Sequence, residues 1–231
     1  LEFRRVLFRS RDLIATLGFN LKNKGLIEDV KVTGSVTGNN DVAGIVNKID
    51  EDGKIENVAF VGKINSVGNN STVGGIAGSN YMGFVNRAYV DATITAQNAN
   101  ASMLVPFVTY MLNSWKSGTK AKVTNSVAKG VLDVKNTRNV GGIVAKTWPY
   151  GAVQDNVTYA KVIKGQEIFA SNDVNDEDGG PHIKDLFGVV GYSSAEDGTG
   201  KDTKSPKKLK HLTKEEADKR VEGYNITADT F

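Results

Sequence analysis

Short runs of alternating apolar and polar residues recur along the middle of the chain. Five twelve-residue segments share one pattern: GLIEDVKVTGSV from Gly25, GKIENVAFVGKI from Gly53, GFVNRAYVDATI from Gly83, AKVTNSVAKGVL from Ala121 and GAVQDNVTYAKV from Gly151. The third position is always β-branched (Ile27, Ile55, Val85, Val123, Val153), and the twelfth is always aliphatic (Val36, Ile64, Ile94, Leu132, Val162). The tenth is always small: Gly34, Gly62, Ala92, Gly130, Ala160. The fifth is Asn or Asp in four copies (Asp29, Asn57, Asn125, Asp155), with Arg87 as the exception. Self-similarity at a fixed period is the signature of stacked repeats.

A second motif follows each copy: VAGIV at Val42–Val46, VGGIAG at Val73–Gly78, MLVPFV at Met103–Val108, VGGIVA at Val140–Ala145 and LFGVVG at Leu186–Gly191. The copies start 28, 30, 38 and 30 residues apart. Each unit therefore reads as two short β segments joined by turns such as Gly38-Asn39-Asn40 and Gly68-Asn69-Asn70. Such strands bury an apolar face only when coil stacks on coil. The pattern predicts an all-β protein, a β-solenoid of about five stacked coils. At a strand spacing of about 4.8 Å these form a rod of roughly 20–25 Å. The β-branched columns become interior aliphatic ladders. The small tenth residue and the Gly pairs suit sharp bends or close backbone approach. The Asn/Asp column suits a corner ladder bonded to backbone groups of adjacent coils.

The ends break the pattern. Leu1–Ser10 (LEFRRVLFRS) fits no column and lacks the apolar core of a signal peptide, so it reads as foreign or disordered sequence. Arg11–Lys24 reads as a degenerate preceding coil, and the solenoid domain is placed at 11–200. After Val162 an acidic insert near 164–184 interrupts the repeat. Its Asn172–Gly180 stretch alternates Asp173, Asn175 and Glu177 as a calcium loop does. The sixth position is Asp178 rather than Gly and the twelfth is Lys184 rather than Glu, so a solvated acidic loop fits better. Residues 201–231 read as a basic linker and a short C-terminal helix leading to a further region. Thr213 is the N-cap, Glu216 completes a capping box, Lys214–Glu222 is helical and Gly223 stops it.

Composition removes several function classes. Across 231 residues the net charge is +3, and the basic stretch Lys201–Lys210 has no interleaved aromatics, so nucleic-acid binding is not expected. No apolar run approaches the eighteen or so residues of a membrane span. With no Cys there is no disulfide, thiol nucleophile or thiolate zinc ligand. The two histidines, His182 and His211, read as loop residues, and neither lies in H-E-x-x-H. No Gly-x-Ser-x-Gly elbow or phosphate-binding loop occurs, and the Gly-Gly-Ile segments precede no helix. Asp29, Asp91 and Asp133 fall in different columns, so no carboxylate pair for acid–base work is placed together. Catalytic and metal residues are therefore expected to be absent from this segment.

The repeats resemble the GLUG-type repeats of Gram-positive surface proteins. The order DVKVTGSV (Asp29–Val36), VAGIVNK (Val42–Lys48), NVAF (Asn57–Phe60), GGIAG (Gly74–Gly78), AYVDA (Ala88–Ala92), KGVLDVKN (Lys129–Asn136) and WPYGAV (Trp148–Val153) resembles the N-terminal domain of the immunoglobulin A1 protease family. EEADK (Glu215–Lys219) and NITAD (Asn225–Asp229) fit that family's exit from the domain. The loop Tyr110–Lys120 is longer than the resemblance leads one to expect. These relatives are large secreted zinc metalloendopeptidases. The resemblance implies an extracellular, wall-associated or secreted protein whose protease domain, with its zinc, lies downstream. None of the family's zinc ligands has a counterpart here. The implied role is a non-catalytic module that positions the protease or engages its protein substrate, an immunoglobulin-type glycoprotein. Its partners are then the downstream domain and that host protein. The alternative is a stand-alone surface adhesin on the same coils. A solenoid carbohydrate lyase would need a groove of carboxylates and Arg/Lys that the columns do not offer.

Aromatic residues recur at the turn into each repeat. Tyr81 and Phe84 flank Gly83, Trp148 and Tyr150 precede Gly151, and Tyr110 and Trp115 lie before Ala121. Equivalent turns of a stacked solenoid line one edge. Two readings follow: rings that cap the interior as core material, or a docking edge of Tyr81, Phe84, Trp115, Trp148 and Tyr150 for the downstream domain or substrate.

Overall fold

A computed structural model describes residues 20–21, 25–50, 52–109, 121–147, 152–164, 169–172, 191–193, 210–226 and 230. The apolar columns become the walls of a parallel β-solenoid of about four turns. Ile27 pairs with Ile55, Ile55 with Val85, Val85 with Val123 and Val123 with Val153. The twelfth column stacks likewise, from Val36 through Ile64, Ile94 and Leu132 to Val162. Every one of these residues is buried. Burial is tightest in the middle, with Ile55 at 0% exposure against 6% for Ile27 in the first rung. Burying each such side chain contributes roughly 1.5–3 kcal/mol, and stacking provides it without any long-range closure beyond one coil.

The strands are longer than expected. The first sheet contains Leu26–Gly38, Lys54–Gly74, Phe84–Ser102 and Val127–Gly141, all parallel. The expected turn Gly68–Asn70 lies inside a strand. Pairing with the next rung continues around it through register shifts at Ser66/Asn69 and Asn69/Ser71, with Asn70 left-handed at φ 64°. Because neighbouring rungs bend at the same place, the ladder turns the corner through a bulge without breaking. The Gly-Gly-Ile motif forms the next corner. There Gly75 N–H donates to Met103 O at 3.0 Å and Ile76 N–H to Leu104 O at 3.0 Å. Ile45, Ile76, Leu104 and Ile143 turn inward and are buried. A second parallel sheet closes the coil through Val46–Ile49, Ala77–Tyr81, Phe107–Thr109, Val144–Thr147 and Phe169–Asn172. Asn20–Leu21 pairs with Lys48–Ile49 ahead of the first rung.

The fifth column has one physical cause. Asp29, Asn57, Arg87, Asn125 and Asp155 all take left-handed backbone, with φ between 50° and 55°. Asn and Asp tolerate that region better than other non-glycine residues. The expected bonds to backbone of adjacent coils are not what this column makes. Asn57 Nδ2 donates to the Asp29 carboxylate, and Asn125 Nδ2 donates to Asn86 Oδ1 at 3.0 Å. The tenth column marks a close approach between rungs: a Cβ on Gly130 would sit 2.1 Å from Ala92 O.

Three expectations need correction at the far end. Phe169–Asn172, assigned to an interrupting insert, pairs with Val144–Thr147 and continues the second sheet. Gly191, the end of the expected fifth corner motif, instead begins the strand Gly191–Ser193, which pairs with Asn156–Thr158 on the first sheet. Lys210–His211 adds to that strand, so His211 is a strand residue rather than a loop residue. The helix Lys214–Glu222 then begins, with the expected capping box of Thr213 and Glu216 and with Gly223 as C-cap. Leu1–Ser10, His182, most of the acidic stretch and the loop Tyr110–Lys120 lie outside the described residues.

Candidate functional site

Two surfaces come into question: the aromatic turn and the outer flank of the first sheet. At the turn, Tyr81 ends a strand of the second sheet and Phe84 begins a strand of the first. Buried Asn80 ties the turn together. Its Oδ1 accepts from Gly83 N–H at 2.8 Å, and its Nδ2 donates to Gly83 O at 3.0 Å and Lys122 O at 3.1 Å. Gly83 is needed because a Cβ there would meet Ile49 Cγ2 at 2.2 Å. Both rings are half-buried. Lys48 Nζ lies 4.6 Å from the Tyr81 ring centroid, and Lys122 Nζ lies 5.6 Å from that of Phe84. The pair thus carries a partly exposed cation–π surface. Trp115, Trp148 and Tyr150 lie outside the described residues, so of the five only Tyr81 and Phe84 are placed, at the two ends of one turn.

The flank was not anticipated. Residues at the seventh position of the repeat point outward, yet Ala59, Tyr89, Val127 and Val157 are buried. The C-terminal segment covers them. Val157 clusters with Ala217, with Leu212, Val221 and Tyr224 packed alongside. Ala59, Tyr89 and Val127 cluster with Ile226. The signal was present: the sixth and eighth positions are buried as well, and a strand apolar on both faces is covered on both.

Polar ties fix the segment. Tyr159 Oη donates to Asp218 at 2.9 Å, and Lys214 Nζ reaches the same carboxylate at 2.7 Å. Burial, followed by the Asp218 hydrogen bond, pushes the Tyr159 phenol well above its usual range. The Lys214 hydrogen bond, then that from Tyr159, holds the Asp218 carboxyl below its usual range. Arg220 lies 3.5 Å from Asp155, and Arg87 Nη2 donates to Asn225 O at 3.2 Å. Lys129 Nζ sits between the rings of Tyr89 and Tyr159, at 5.6 and 5.3 Å.

Inside the coil, the sixth column turns polar in the last rungs. Ser126 Oγ accepts from Ala88 N–H at 3.0 Å. Asn156 Oδ1 accepts from Ser126 N–H at 3.0 Å, and its Nδ2 donates to Val123 O at 2.9 Å. These side chains satisfy backbone groups left open beside the left-handed corner. Among the described residues, no group of three or more His, Asp or Glu is placed to hold a metal ion. Also among them, no helix is long and apolar enough to cross a membrane.

The sequence places this architecture within larger proteins. Over 222 residues, 95% of the chain, it is 50% identical to zinc metalloprotease ZmpB of Streptococcus pneumoniae serotype 4. Over 98% of the chain it is 28% identical to zinc metalloprotease ZmpC of the same organism. The chain spans 11% of the length of each relative. It is thus homologous to a segment of zinc metalloproteases. No protein-family model matches the chain, and no solved structure matches it.

Proposed function

We propose that the chain is a non-catalytic module of a larger secreted, cell-surface zinc metalloprotease, in which it positions the protease domain or engages its protein substrate. The observation that carries this reading is similarity over 95% of the chain to 11% of a zinc metalloprotease. The columns support it. The third and twelfth fill the interior, the fifth turns the corner, and the tenth admits close rungs. The recurrent residues are thus accounted for by architecture, and chemistry is assigned to a downstream domain that holds the zinc. The finer placement in the immunoglobulin A1 protease family, with GLUG-type repeats and an immunoglobulin-type host substrate, rests on the order of motifs in the sequence. The half-exposed Tyr81 and Phe84 are the described part of the docking edge this role calls for.

The test is direct. The 231-residue chain, purified and dialysed, is expected to hydrolyse no peptide and to retain no stoichiometric zinc. One tightly bound zinc per chain, or chelator-sensitive hydrolysis, would refute the reading.

A further inference from the structure

The C-terminal segment runs back along the solenoid. Asp218 and Arg220 meet Tyr159 and Asp155 in the fifth rung. Arg220, Gly223 and Tyr224 line a depression with Asn125 of the fourth rung. Asn225 O meets Arg87 in the third. Thus the segment retraces the fifth column from its last copy towards its first.

We propose that Arg87 is a positioning latch, which holds this segment on the flank and fixes where the chain leaves the solenoid. Arg87 alone in its column is neither Asn nor Asp. It occupies left-handed backbone at φ 55°, which Asn would accept with less strain. Its Nε is buried without a hydrogen-bond partner. The corner therefore gains nothing from arginine, and the contact it does gain is the one to Asn225 O. In the larger protein, which is where the proposed function places this chain, the latch holds Asn225 at the side of the third rung rather than past the last one.

Hydrogen exchange on the chain itself, with and without Arg87→Asn, tests the latch independently of any downstream domain. The variant restores the residue type of Asn57 and Asn125, so the coil should fold. A charge-assisted bond of this kind corresponds to about tenfold or more in local opening. Amides of Tyr224, Asn225 and Ile226 are expected to exchange at least about tenfold faster, with those of Ile55, Val85 and Val123 unchanged within about twofold. Unchanged exchange in the segment would overturn the proposal. So would equal acceleration across all rungs, which would make Arg87 a corner residue only.

Discussion

Replacing Gly62 with alanine probes the contact on which the stacking depends. Gly62 pairs with Gly34 on one side and Ala92 on the other. Its φ is +152°, and an added Cβ would lie 1.9 Å from Gly34 O. Backbone of that kind costs an L residue on the order of 1–3 kcal/mol. The overlap is with a backbone carbonyl, so no side-chain rotation relieves it. Restoring contact requires the two rungs to part by about 1 Å, which weakens two or more ladder hydrogen bonds at about 1 kcal/mol each. The sum is about 3–5 kcal/mol, among the largest effects of a single substitution. Ala92→Gly, in the same column, is the control, because its cost is limited to added chain freedom and one buried methyl, about 1–2 kcal/mol together. Guanidinium unfolding followed by far-ultraviolet circular dichroism measures both. A Gly62→Ala variant within about 1 kcal/mol of the parent would refute the register of the first two rungs.

Three further outcomes are expected. Ile55→Ala, at a fully buried position, should cost about 2–5 kcal/mol. Leu26→Ala, beside it but 36% exposed, should cost about 0.5 kcal/mol or less by the same assay. The tail should also depend on pH in two windows. The depressed Asp218 pKa stabilises above its unfolded value of about 3.9 and is lost as pH falls through the lower folded value. The raised Tyr159 pKa stabilises below about 10 and is lost as pH rises through the higher folded value. Protection factors of the helix amides, exchange rates corrected for the intrinsic pH dependence, should therefore be flat between these windows, and a transition near pH 6–7 would contradict the assignment.

The interior was legible because its constraints repeat. Ile27, Ile55, Val85, Val123 and Val153 meet the same environment five times, so one column reports the fold without any single strand being convincing. The Asn/Asp column was legible as a corner, but its cause, left-handed backbone, is a property of φ that the letters show only indirectly. What escaped detection happens once. Asn80 and Asn156 each satisfy backbone groups at one turn, and nothing in their neighbours marks them. Phe169–Asn172 pairs on the second sheet after a spacing unlike the other copies, so periodicity could not place it. The covered flank was readable in principle from Ala59, Tyr89, Val127 and Val157. It required asking which residues the outward positions pack against, and the answer lies some sixty or more residues away, in Ala217 and Ile226.

The division of labour itself is tested most directly by removing residues 25–226 from the longer polypeptide that the reading implies. Hydrolysis is then compared on a short unstructured peptide and on a folded glycoprotein substrate. The account predicts full zinc content and unchanged peptide hydrolysis, with cleavage of the folded substrate reduced at least about tenfold, or roughly 1.4 kcal/mol of lost positioning or binding. Loss of zinc or of peptide hydrolysis on deletion would contradict it, as would cleavage of the folded substrate at the parent rate.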